Sequence, residues 1–132
     1  MILKKLNTAE ILKTFDGKDM VEQGVGEEAS NLTLKKALLV YLVNANRIGS
    51  VTDNANDAIL AYEAGVKIGM ADSEVVLTDP QIDVLKKLVQ CNKLSIQGRQ
   101  EPMYGLVVSQ QLLNILASAP VVDDKTSGGK TE

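Results

Sequence analysis

Few residues in this sequence have types and spacing that chemistry could use, and one short run comes nearest to a known motif. Gly128-Gly129-Lys130-Thr131 has the ending of a loop that cradles phosphates with backbone N–H groups and a lysine. Such a loop needs a second glycine, separated by four residues from the Gly-Lys pair, so that the backbone can wrap the anion. Asp124 stands there, and Asp123 beside it adds another negative charge where a phosphate would sit. No apolar strand runs directly into the loop either. The run reads as part of a polar tail, and no nucleotide or other cofactor is expected.

The remaining candidates are acidic or thiol groups. Glu27-Glu28, Asp72 with Glu74, and Asp79 with Asp83 could each act as an acid/base pair if their environments split the two pKa values. Each falls in a loop, at a helix start or on a polar face, where carboxylates stay solvated. Asp53-Asn54-Ala55-Asn56-Asp57 has the oxygen-rich look of a calcium loop but lacks its central glycine and closing glutamate, and helix capping accounts for it better. Cys91 is the single cysteine and the chain has no histidine, so neither a disulfide within the chain nor a Cys-His or Ser-His-Asp site can form. Zinc sites lean on the same residue types. No enzyme activity and no metal are expected.

Composition points to one soluble domain. The chain has 132 residues, 45% hydrophobic and 23% charged, with a net charge of −3. No apolar run reaches transmembrane length. Met1-Ile2-Leu3 is followed at once by Lys4-Lys5 and a polar stretch, so no signal peptide is expected and the cytoplasm is the expected compartment. The acidic balance argues against nucleic acid. Lys86, Lys87, Lys93 and Arg99 form a local basic cluster that reads as a solvated helix face and loop.

The elements that must position these groups are mostly helices. Asp16-Gly17 is a two-residue hairpin signal that pairs Phe15 with Lys18 and Leu12 with Val21, setting Ile11, Phe15 and Met20 on one face. A helix capped by Thr8 is the competing reading. Residues 22–31 read as a mobile connection. Leu34, Ala37, Leu38, Tyr41, Leu42 and Ala45 then recur at helical spacing, with Thr33 or Asn31 as cap. A second helix runs from near Asp53 to Gly69. Ile59, Tyr62 and Val66 line one face, and Ala58, Ala61, Ala64 and Gly65 allow close approach. Thr78-Asp79-Pro80-Gln81 opens a third helix, with Ile82, Leu85, Leu88 and Val89 facing inward and Asp83 spaced to pair with Lys87. The fourth, from Met103 to Ser118, carries Tyr104, Val107, Val108, Gln111, Leu112 and Ile115 on one stripe and ends at Pro120. The expectation is a mainly α protein: a compact bundle of about four helices with a small N-terminal β-hairpin. Residues 1–120 form the domain, 121–132 a disordered polar tail, and any sheet stays within the first 30 residues.

A β element around Asp16-Gly17-Lys18, then Leu32-Thr33-Leu34-Lys35 opening an apolar helix, then a helix beginning LTDPQIDVLKKLV, resembles small phage-encoded accessory proteins. The first two parts are similar to phage tail assembly chaperones, over about half the chain. That resemblance implies a non-enzymatic helper that masks aggregation-prone surfaces of a structural protein during assembly in the host cytoplasm. The alternative is a small phage regulator that binds a host enzyme or defence factor. Both need an apolar surface beyond the core. Residues 33–46 carry apolar groups on more than one side, so this helix is expected at the centre of the fold. Leu39, Val40 and Val43 are expected to bind a partner protein or a second copy.

Overall fold

The computed structural model describes residues 2–22, 30–48, 51–96, 99–102 and 104–122. Among the described residues there are four α-helices: α1 Leu34–Val43, α2 Ala55–Met70, α3 Asp79–Cys91 and α4 Leu106–Ala117. They combine with strands β1 Leu3–Asn7, β2 Val21–Glu22, β3 Ser30–Asn31, β4 Glu74–Thr78, β5 Lys93–Ile96, β6 Arg99–Pro102 and β7 Val121–Val122. The mainly helical expectation holds, but the sheet does not stay near the N-terminus. β1 lies between β4 and β7, antiparallel to both, with Leu3 opposite Thr78 and Val122. Val121 and Val122, placed in the tail by the sequence reading, are therefore an edge strand. Residues 97–98, around which β5 and β6 pair, lie outside the described residues, as do Glu27-Glu28 and the Gly-Lys-Thr run.

β1 escapes a periodicity search because its alternation is half charged. Leu6 is buried beside Val75 and Leu77 of β4, while Lys4 takes the neighbouring inward position. Its amine reaches the Asp79 carboxylate at 2.8 Å, at the first turn of α3, where a helix favours negative charge. On the outer face Lys5 pairs with Glu74 at 3.6 Å.

The Asp16-Gly17 turn forms in a different register from the one expected. Thr14 pairs with Lys18, and Lys13 bridges Asp19. Gly17 adopts φ +83°, so Phe15, Asp16 and Gly17 make a three-residue loop instead of a two-residue one. The shift of one residue puts Phe15 at the tip, 84% exposed, and not beside Ile11 and Met20. Leu12 is fully buried instead. Its backbone closes a ring of three hydrogen bonds: Leu12 N–H to Leu32 C=O at 2.9 Å, Leu32 N–H to Met20 C=O at 2.9 Å, and Met20 N–H to Leu12 C=O at 2.8 Å. Thr8 is not a helix cap. The carbonyls of Thr8 and Glu10 accept from Lys35 and Leu34, satisfying the first donors of α1.

The central position falls to α3, which packs on α1, α2, α4, β1 and β4. Its start is as the sequence indicated. Thr78 accepts from the Gln81 N–H, the Gln81 side chain accepts from the Thr78 N–H, and Pro80 lies in the first turn. Lys87 reaches across to Asp57 at the start of α2, at 3.0 Å, and not along its own helix to Asp83. Thr33 caps α1, and Asn54 caps α2 by accepting from Asn56 and Asp57. That capping role uses the residues that had faintly resembled a calcium loop.

Candidate functional site

Among the described residues the chemistry-bearing side chains do not converge. Among the described residues no group of three His, Cys, Asp or Glu side chains is placed to hold a metal ion. Cys91 is half-buried at the end of α3 and packs against the core. Asp16 has its carboxyl held below the usual aspartate range, chiefly by the hydrogen bond from the Thr14 hydroxyl. It sits in an exposed turn. Tyr41 is held well above the ordinary phenol range by burial, with the neighbouring Tyr104 adding to the shift.

Tyr41 belongs to a structural lock. Its hydroxyl donates to Asn92 Oδ1 at 2.6 Å, and the rings of Tyr41 and Tyr104 lie 5.8 Å apart at 46°. Asn92 ends α3 in the left-handed conformation, φ 45°, a position asparagine tolerates. Its amide grips the Tyr104 peptide from both sides: Oδ1 accepts from Tyr104 N–H at 3.2 Å and Nδ2 donates to Tyr104 C=O at 2.9 Å. Gln111 on α4 grips Lys13 in the same way, accepting from its N–H at 2.8 Å and donating to its C=O at 2.5 Å. These amides tie irregular backbone to helices.

What the fold does expose is apolar, and α2 is the source. The sequence set Ile59, Tyr62 and Val66 on one face of α2 and the small residues Ala58, Ala61, Ala64 and Gly65 where helices approach closely. The structure turns the small side inward. Ala61, Ala64 and Ile68 enter the core, while Ile59, Tyr62, Val66 and Met70 point outward at 57%, 73%, 42% and 81% exposure. The alanines win the inner face because α2 lies against α1, α3 and β4, where small side chains permit close packing. The outward stripe continues into an open groove of about 570 Å3 between α1 and α2, lined by Leu39, Leu42, Val43, Ala61, Tyr62 and Gly65 among others.

Two of the three expected partner-binding residues meet this face. Leu39 and Val43 line the groove, and Val43 is 78% exposed. Val40 is half-buried and not part of the groove lining. The sequence reading missed the α2 half. Its signal was present in the two classes of apolar residue on one helix, large and small, and only the neighbours decide which class faces in. A smaller apolar spot joins Phe15 to Leu106 and Val107 on α4. The basic cluster sits on α3 and the β5–β6 hairpin, with Lys87 engaged by Asp57.

No helix is long and apolar enough to cross a membrane, among the described residues. No family model, no curated protein and no solved structure matches the chain.

Proposed function

We propose that this is a non-enzymatic protein-interaction protein of the host cytoplasm whose working surface is the α1–α2 apolar face. The observation that carries the reading is the orientation of α2. A helix with free choice buries its largest apolar residues. Here Ile59, Tyr62 and Met70 are spent on the surface while two alanines, Ala61 and Ala64, share the interior face with Ile68. An exposed apolar stripe beside an apolar groove fits recognition of an amphipathic helix or apolar segment. Masking such a segment is the task of an assembly helper, and the resemblance of the β element around Asp16-Gly17-Lys18 and of the helix entry from Leu32 to phage tail assembly chaperones makes a phage structural protein the proposed client. The compact helical bundle of the sequence reading is, in this view, left open along one side for that purpose.

The test is co-expression with the products of neighbouring genes. A tail or capsid protein should stay soluble and co-purify with the native chain, and should aggregate or be lost with Val43→Asp or Tyr62→Asp. Both residues are exposed, so these variants should melt as the native protein does. Full retention of the client by both variants, or no effect of the native chain on any structural product, would overturn the reading.

A further inference from the structure

We infer that a second copy of this chain covers the α2 stripe when no client is present, the two α2 helices crossing antiparallel about a two-fold axis near Ala64 and Gly65. This rests on the α1–α2 face being an interaction surface, and the features of that face are self-complementary. The first is size. Val43, Ile59, Tyr62, Val66 and Met70 together present on the order of 600 Å2, at the upper end for the largest apolar patch of a monomer. Two such faces with a polar rim reach the area of a stable small interface, roughly 1,200 Å2 and above.

The second is shape. The large residues share α2 with the small Ala58 and Gly65, which line the groove. Among the described residues nothing crowds Gly65 or Gly69. A Cβ added at Gly69 meets nothing within 4 Å, and one at Gly65 meets only Leu42 Cδ1 at 3.7 Å. Glycine in a helix interior costs about 1 kcal/mol relative to alanine, so the uncrowded Gly65 leaves room where another backbone can approach. An antiparallel copy sets Met70 over the other copy's Ala58 and Ile59, and Tyr62 over the other copy's Gly65 and Val66. Large side chains then meet small ones on both sides of the axis.

The third is charge. The charged residues of α2 are Asp57, Glu63 and Lys67, and Asp57 is engaged by Lys87. Glu63 and Lys67 flank the stripe, one turn apart, both steadied by the buried Gln81: its Nε2 donates to Glu63 at 3.3 Å, and its Oε1 accepts from Lys67 at 3.3 Å. The antiparallel copy brings Glu63 near the other copy's Lys67, twice by symmetry.

Sedimentation equilibrium across micromolar concentrations tests this. The native chain should be a dimer. Glu63→Lys should weaken it by about tenfold, because both symmetric attractions become repulsions. The double change Glu63→Lys with Lys67→Glu should restore most of the loss. A monomer at every concentration, or a double variant as weak as the single one, overturns the inference, with thermal melts checking that each variant folds. A monomer that binds an apolar dye, with binding lost in Tyr62→Glu, would overturn the second copy while leaving the interaction face standing. A dimer indifferent to Glu63→Lys, Tyr62→Glu and Val43→Asp would overturn both.

Discussion

Replacing Gly65 with alanine should make the fold more stable and the association weaker. Gly65 lies inside α2, and the helix runs through it unbroken from Ala55 to Met70. Alanine is favoured over glycine in a helix interior by about 0.5–1 kcal/mol, through lower backbone entropy in the unfolded chain. The added Cβ would meet Leu42 Cδ1 at 3.7 Å, an ordinary contact, so no strain offsets the gain. For a chain of this size the gain corresponds to a rise of about 2–4 °C in Tm. The same methyl projects into the α1–α2 groove, where a second α2 would approach. Urea unfolding followed by circular dichroism, at concentrations below dimerisation, should show a higher midpoint with unchanged slope. Sedimentation at higher concentration should show a weaker dimer. A lower midpoint would refute the reasoning, because it would mean that the space beside Gly65 is already filled within the fold. An unchanged dimer would place any copy-to-copy contact away from this side of α2.

Other perturbations test the framework. Thr8 is 1% exposed and its hydroxyl has no partner among the described residues, so Thr8→Val should be neutral or stabilising by up to about 1 kcal/mol in urea unfolding; a clear loss would reveal a partner for the hydroxyl. Tyr41→Phe removes the hydrogen bond to Asn92 and should cost about 1 kcal/mol at neutral pH, whereas no loss would mean the bond contributes nothing. Because the folded phenol is raised, the folded state keeps its proton where the unfolded chain loses it. The contribution is complete below the ordinary value near 10 and falls as pH rises toward the folded one. Stability of the native protein should therefore decline more steeply above that pH than that of Tyr41→Phe, and parallel pH profiles would contradict the shift. Ending the chain at Pro120 deletes β7 and its pairing with Leu3 and Lys4, and should lower Tm by a few degrees; an unchanged Tm would show that this edge is not part of the cooperative fold.

Local signals were legible wherever neighbouring residues settle the outcome among themselves. Thr78, Pro80 and Gln81 start α3 because cap, first-turn proline and reciprocal glutamine lie within one turn of chain. Thr33 caps α1 for the same reason, and Asp16-Gly17 makes a turn because glycine accepts positive φ. The lack of histidine narrowed the chemistry before any fold was known. Long-range choices were not legible. The turn at Gly17 fits loops of two or three residues, and only the pairing of Leu12 with Met20 and Leu32 selects the longer one and expels Phe15. β1 needs β4, more than sixty residues away, before its half-charged alternation becomes a strand. On α2 both faces are apolar, Ala61, Ala64 and Ile68 on one and Ile59, Tyr62, Val66 and Met70 on the other, and hydrophobic periodicity cannot rank them. Packing against α1, α3 and β4 ranks them by volume, drawing Ala61 and Ala64 inward and leaving Ile59, Tyr62, Val66 and Met70 outside. The sequence determined that α2 is an apolar helix; the tertiary structure alone decided which face remained exposed, because burial depends on the space its neighbours leave.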